Sequence, residues 1–292
     1  MKKLKRNIKR FFIFLVILVG FIYLNNTSLF TRDSNKEPLL LAHRGMAQTF
    51  HMEGITGETC TAERIYEPEH PFLENTIASM EAAFEAGADI VEFDVQLTKD
   101  GEFAVFHDWA LECRTDGKGA GLMPTLDEVM SHFPKQSFLI HIKSNDPNEG
   151  VHLSDYLTKF PDSRLKNLSV YGGDKPIASL KDKQPDMHVM SKAMLKSCLL
   201  PYIAVGWTGY VPAACENTQL HIPEKYAPYM WGFPNKFLNR MEEANTRVIL
   251  VAGDGSWSEG FDKKQDLERL PKNYTGGIWT NRIDIIAPIL KE

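Results

Sequence analysis

The run Ile90-Val91-Glu92-Phe93-Asp94-Val95 is rich in β-formers, yet it carries two carboxylates two residues apart. Side chains alternate along a strand, so Glu92, Asp94 and Gln96 share one face while Val91, Phe93 and Val95 share the other. The apolar face requires burial and draws the acidic face into a half-buried sheet. Two carboxylates side by side there repel each other and lose hydration, which is costly unless a cation lies between them. Hard oxygen ligands of this kind suit magnesium, calcium or manganese.

Two more short strands flank the acidic one. Leu39-Leu40-Leu41-Ala42 runs into His43-Arg44-Gly45, and Phe103-Ala104-Val105-Phe106 runs into His107-Asp108. Each places a histidine at a strand end. Between them, 74–86 reads as a helix that Asn75 or Thr76 caps and Gly87 ends, with Ile77, Met80, Ala83 and Phe84 at helical spacing. Lys99-Asp100-Gly101 turns too tightly for a crossover helix, so 103–106 is expected as a hairpin partner of the acidic strand. Pro124 and Thr125 open a further helix, and Phe138–Ile142 forms the next strand. Later strands are expected at 168–171, 187–190, 203–206, 248–251 and 277–280. The alternation of strand and helix gives an α/β class with a parallel sheet.

The N-terminus is basic and then apolar. Lys2, Lys3, Lys5, Arg6, Lys9 and Arg10 precede an apolar run from Phe11 to Leu24 that only Gly20 interrupts. No small-x-small cleavage pattern follows it, so an uncleaved anchor is favoured over a cleaved signal peptide. Either reading puts the remainder outside the cytoplasm, because basic flanks stay inside. The protein is then membrane-anchored on the extracytoplasmic side, or secreted or periplasmic if the leader is cut. Residues 1–36 form leader and linker, and 37–292 suit one domain of about the ~250 residues of a (β/α)₈ barrel. A net charge of -5, with no basic stripe beyond the leader, gives no electrostatic footprint for nucleic acid.

The order of His43-Arg44-Gly45, Glu74-Asn75-Thr76, Glu92-Phe93-Asp94 and His107-Asp108 resembles the glycerophosphodiester phosphodiesterase family. The resemblance runs from about Leu39 to Ile286, is densest over 74–108, and returns at Gly277-Ile278-Trp279-Thr280-Asn281-Arg282. It implies a TIM barrel that hydrolyses glycerophosphodiesters to glycerol 3-phosphate and an alcohol, using one divalent metal ion. Carried over by motif, His43 and His107 are the acid–base pair, Arg44 clamps phosphate, Glu92 and Asp94 ligate the metal, and Glu74 supports the site. The membrane leader leaves a second reading open, a lysophospholipase D acting on membrane lysolipids.

One departure concerns the metal. His141-Ile142-Lys143 stands where the family carries Glu-x-Lys, whose Glu is the third ligand and whose Lys faces the substrate. A neutral imidazole also ligates metal, but it favours manganese, zinc or iron over calcium. Direct ligation by His141 and a hydrogen-bonding role are equally open. The segment Met46–Leu73 is longer than in most relatives, and the path from Gly117 to Pro124 is shorter. His141 and the shortened path motivate a third reading, a degenerate barrel that only binds phosphodiesters. Trp279, and less so Trp207, are candidates to wall the substrate, with Asn281 and Arg282 candidates for phosphate. In an exported domain the favoured cysteine pairing joins Cys60 to Cys113, leaving Cys198 with Cys215; four reduced thiols is the alternative.

Overall fold

A computed structural model describes residues 2–28, 31, 36–56, 59, 61–107, 123–256 and 259–291. Eight parallel strands build the barrel: β1 (Leu39–Ala42), β2 (Ile90–Leu97), β4 (Phe138–Ile142), β5 (Leu168–Gly172), β6 (His188–Ser191), β7 (Gln219–Pro223), β8 (Arg247–Val251) and β9 (Gly277–Thr280). Neighbours run in the order β6-β5-β4-β2-β1-β9-β8-β7. A single parallel bridge between Val189 and Thr218 nearly closes the ring. The remaining strand, β3 (Phe103–Val105), lies antiparallel to β2 with Val95 opposite Val105, the hairpin expected from Lys99-Asp100-Gly101.

The helices pack outside. α1 (Lys2–Asn26) precedes the barrel; α2 (Ile77–Glu85), α3 (Leu126–His132), α4 (Pro147–Leu157), α5 (Asp162–Leu165) and α6 (Asp174–Lys183) follow in turn. Then come α7 (Lys192–Val205), α8 (Asn235–Glu243), α9 (Lys264–Leu267) and α10 (Ile283–Leu290). Capping boxes at Thr76 and Thr125 satisfy the first amides of α2 and α3. The outward faces of the strands, with Val91, Phe93, Val95 and Ile140 among them, form the main core against these helices. Leu41, Ile90, Leu139, Ile249, Val251 and Trp279 fill the barrel interior as a second cluster. All of β2 up to Gln96 is therefore buried on both faces.

Two expectations are corrected. The apolar stretch at 203–206 is the end of α7 and a short 3₁₀ turn, while the sixth barrel strand is β7, further along the chain. In β7 the residues Gln219 and His221 alternate with the buried Leu220 and Ile222, so no continuous apolar run marks it. The second correction is length: the N-terminal helix spans 25 residues, well beyond the apolar run that suggested it.

Cys198 and Cys215 form a disulfide across a separation of 17 residues, and both are fully buried. Cys60 and Cys113 lie outside the described residues. In the chain-entropy model a loop of that length stabilises by about 3 kcal/mol. Cys198→Ser with Cys215→Ser is therefore expected to lower the urea unfolding free energy by about that amount; an unchanged midpoint would contradict it.

Candidate active site

The strand ends bring the expected groups together. Ile90, Glu92 and Asp94 point inward from β2; His141 lies opposite Asp94 on β4, and Tyr171 lies opposite His141 on β5. Both carboxylates have no solvent exposure. His141 Nδ1 is 2.8 Å from Asp94 Oδ1 and 3.8 Å from Glu92 Oε1. One ligand atom from each of Glu92, Asp94 and His141 falls within 4.8 Å of the others.

Arg44 reaches the pair from the end of β1. Its Nη1 donates to both oxygens of Glu74 at 3.1 and 3.0 Å, its Nε is 3.3 Å from Asp94 Oδ2, and its backbone N–H donates to Glu92 Oε2 at 3.1 Å. This geometry needs a left-handed backbone, with φ +60° at Arg44 and +78° at Gly45. A Cβ on Gly45 would also lie 2.6 Å from Ser79 Oγ and 2.9 Å from Ser79 C. Glycine is therefore required where the chain turns over the N-terminus of α2. Gly45→Ala is expected to cost about 1–3 kcal/mol and to displace Arg44, read as a lower unfolding midpoint together with a raised KM.

Asn75, also left-handed at φ +60°, locks the other side of Asp94: its Nδ2 donates to Oδ2 at 3.1 Å, and its Oδ1 accepts from the Asp94 amide at 3.0 Å. Tyr171 donates its hydroxyl to Glu92 Oε1 at 2.7 Å and stacks on His141 with ring centroids 4.0 Å apart. Lys143 Nζ is 2.8 Å from His107 Nε2 and 3.5 Å from Asp94 Oδ1.

The electrostatics follow from burial. Burial and the neighbouring Asp94 charge push Glu92 up to about 8. Burial acts the same way on Asp94, but Arg44 and the His141 hydrogen bond outweigh it and hold that carboxyl well below the usual range. Burial, then Arg44, lowers His43 well below an ordinary imidazole, and burial brings His141 down to about 4 despite its bond to Asp94. Burial alone would lower Arg44; Glu74, Asp94 and Glu92 reverse it and hold the guanidinium charged. The present cations thus keep one of the two central carboxylates ionised and leave the other short of positive charge.

His43 is held by a relay. Asn281 Nδ2 donates to Asp262 Oδ2 at 2.8 Å, which turns Asn281 Oδ1 to within 2.6 Å of His43 Nδ1. An amide oxygen only accepts, so His43 carries its proton on Nδ1 and presents a bare Nε2. That nitrogen lies 3.8 Å from Glu92 Oε2. His43, Arg44, Glu74 and His107 line a cavity of about 630 Å³, roofed by Phe50, Met52 and Ile55 on one side and walled by Glu259 and Asp262 on the other. The roof comes from the long 46–73 segment, pinned by a bridge between Phe50 and Ile65 and by His51 against Tyr66, with ring centroids 4.0 Å apart.

A model of the glycerophosphoryl diester phosphodiesterase family matches residues 43–217. The chain belongs to that family. As a member of the glycerophosphoryl diester phosphodiesterase family it is a phosphoric diester hydrolase. The uncharacterized protein YqiK of Bacillus subtilis strain 168 is 38% identical over 250 residues, covering 76% of this chain and 94% of that protein. A glycerophosphodiester phosphodiesterase of Caldanaerobacter subterraneus subsp. tengcongensis is 50% identical over 56 residues, which cover 19% of this chain and 23% of the relative. The glycerophosphoryl diester phosphodiesterase domain of a Mycobacterium tuberculosis protein shares the fold with a TM-score of 0.60 at 12% identity, covering 87% of this chain and 99% of that one.

Not every residue singled out in the sequence reaches the cavity of this family member. Trp279 is 1% exposed and lies beneath His43, ring centroids 4.7 Å apart, so it is a floor for the imidazole. Arg282 is committed to Glu69 at 2.5 Å and Asp284 at 2.9 Å. Trp207 sits in the turn after α7, at the far end of the barrel. Conversely, sequence reading gave no part to Tyr171, Asp262 or Asn281 as a histidine partner, and treated Asn75 only as a cap. Their roles depend on register between strands distant in sequence, which no local pattern announces.

Proposed function

We propose that the protein hydrolyses water-soluble glycerophosphodiesters to glycerol 3-phosphate and an alcohol, with one divalent ion held by Glu92, Asp94 and His141. The observation that carries this reading is the fully buried carboxylate pair, with His141 completing a three-atom cluster beside two cavity-lining histidines. The donor set fits the ion: two carboxylates and an imidazole kept neutral by burial, with a local deficit of positive charge at Glu92. When bound, the ion withdraws charge from a phosphate oxygen and leaves the phosphorus open to attack.

The chain's own groups supply the rest. Arg44, oriented by Glu74, binds the anionic phosphate at the cavity wall. The bare Nε2 of His43 takes a proton from the nucleophile, either water, which gives glycerol 3-phosphate directly, or the 2-hydroxyl of the glycerol, which gives a cyclic phosphate whose bond to O2 water then breaks. As the bond from phosphorus to the alcohol oxygen breaks, His107 protonates the departing alkoxide. The Phe50, Met52 and Ile55 roof covers the outer part of the cavity and selects what enters. α1, apolar from Phe11 to Leu24 and not buried inside the barrel there, tethers the barrel to a membrane on the extracytoplasmic side, a placement supported by the basic flank and the Cys198–Cys215 disulfide.

The test is release of glycerol 3-phosphate from a panel of glycerophosphodiesters by the purified full chain, first chelated and then supplied with individual ions. Activity restored by one or more divalent ions is expected. Equal activity with chelator would remove the metal from the reading, and no activity on any diester with any ion would remove the substrate class.

A further inference from the structure

At the opposite end of the barrel from the cavity, the chain runs from Ser197 to Cys215 without a charged residue. Much of this stretch is exposed. Leu200 is 62% exposed, Ile203 40%, Val205 39% and Tyr210 58%. Leu200 and Ile203, three positions apart in α7, share one side of that helix, and exposed apolar residues gathered at one end of a domain mark an interaction site. Its height in the barrel is fixed by Cys198, which is bonded to Cys215 four positions before β7 begins, at the level where strands enter. Thr246, just ahead of β8, donates its hydroxyl to the Cys215 carbonyl at the same level.

This is also where α1 ends. The side-chain amides of Asn25 and Asn26 donate to the Trp207 carbonyl at 3.0 and 2.8 Å. Arg240, 5% exposed, donates to the Asn25 carbonyl at 2.9 Å and to Asn26 Oδ1 at 3.0 Å, placing a cation at the helix C-terminus. The last apolar residue of α1, Leu24, therefore stops one residue short of the surface that carries Trp207 and Tyr210. Tryptophan and tyrosine favour the headgroup level of a bilayer. Lipid covers a long unburied apolar helix that follows a basic flank, and the uncharged 197–215 stretch adjoins the end of that helix at Trp207.

We propose that the exposed Leu200, Ile203 and Tyr210 form a membrane-resting face, on which the barrel stands beside α1 with its catalytic mouth turned away from the bilayer. The inference rests on α1 being a retained anchor. It adds an orientation: the cavity draws its diester from the aqueous phase, and a lysolipid in the same bilayer lies on the wrong side of the barrel.

The full chain is reconstituted into vesicles of phosphatidylethanolamine and phosphatidylglycerol, with the photocrosslinker p-benzoylphenylalanine replacing Phe14, Leu200, Tyr210 or Met52 in turn. Met52 lies at the cavity roof and is 41% exposed. Lipid adducts by mass spectrometry are expected at positions 14, 200 and 210, with none at 52. The position 200 and 210 variants are expected to keep wild-type diester hydrolysis, which shows that they fold. Adducts at 14 without adducts at 200 and 210 would leave the anchor standing and overturn the resting face. Adducts at 52 in place of 200 and 210 would reverse the orientation. Absence of adducts at 14 would overturn the anchor and the face together.

Discussion

His43→Ala and His107→Ala each lower kcat by about 10²–10⁴-fold while KM changes little, because each removes a proton transfer that matters only as the transition state forms. The double variant loses far less than the product of the two, since protonating the leaving group and deprotonating the nucleophile belong to one displacement. The structure makes the His43 half of this sharper. Asn281 holds the ring in the tautomer with a bare Nε2, and Asp262 holds Asn281, so Asn281→Leu should reduce kcat in the same direction with the imidazole still present. Steady-state kinetics on a glycerophosphodiester measures all four; wild-type turnover in both histidine alanines would contradict their assignment.

Glu92→Gln is expected to abolish ion binding and, in chelator, to stabilise the protein. Burial and Asp94 raise the Glu92 pKa to about 8. A carboxyl whose folded pKa exceeds its unfolded value binds more protons in the folded state, so metal-free stability falls as pH rises from the ordinary carboxylate range to about 8. Glutamine cannot ionise and removes that slope, a gain on the order of a few kcal/mol above pH 8 for a group with no solvent exposure. Added ion reverses the ranking, because only the wild type binds it. Urea denaturation of both proteins at pH 5 and pH 8.5, with chelator and with ion, gives the comparison. A Glu92→Gln variant less stable than wild type in chelator at pH 8.5 would refute the charge deficit.

How much was legible in the sequence depends on whether a residue acts within its own strand. The alternation in 90–96 gave the acidic face directly, and His43 and His107 could be placed at strand ends because apolar runs stop there. The hairpin at β3 followed from Lys99-Asp100-Gly101. β7 was missed because its inward residues are Gln219 and His221, and the apolar stretch at 203–206 misled because it is an exposed helix end, apolar for a reason unrelated to the core. Tyr171 reaches Glu92 from a strand 79 positions away in sequence, and Asp262 acts on His43 only through Asn281. Such contacts are properties of register and closure. Trp279 illustrates the converse: its place in the last strand was correct, but inward-pointing position alone did not distinguish the floor beneath His43 from the cavity wall.

Isothermal titration of the chelated full chain with manganese, magnesium and calcium, followed by activity at each point, tests the central claim most directly. The account predicts one ion per chain, activity rising in step with occupancy, and loss of both in Glu92→Gln and Asp94→Asn. Full turnover at zero occupancy, or unchanged binding in both variants, would contradict it.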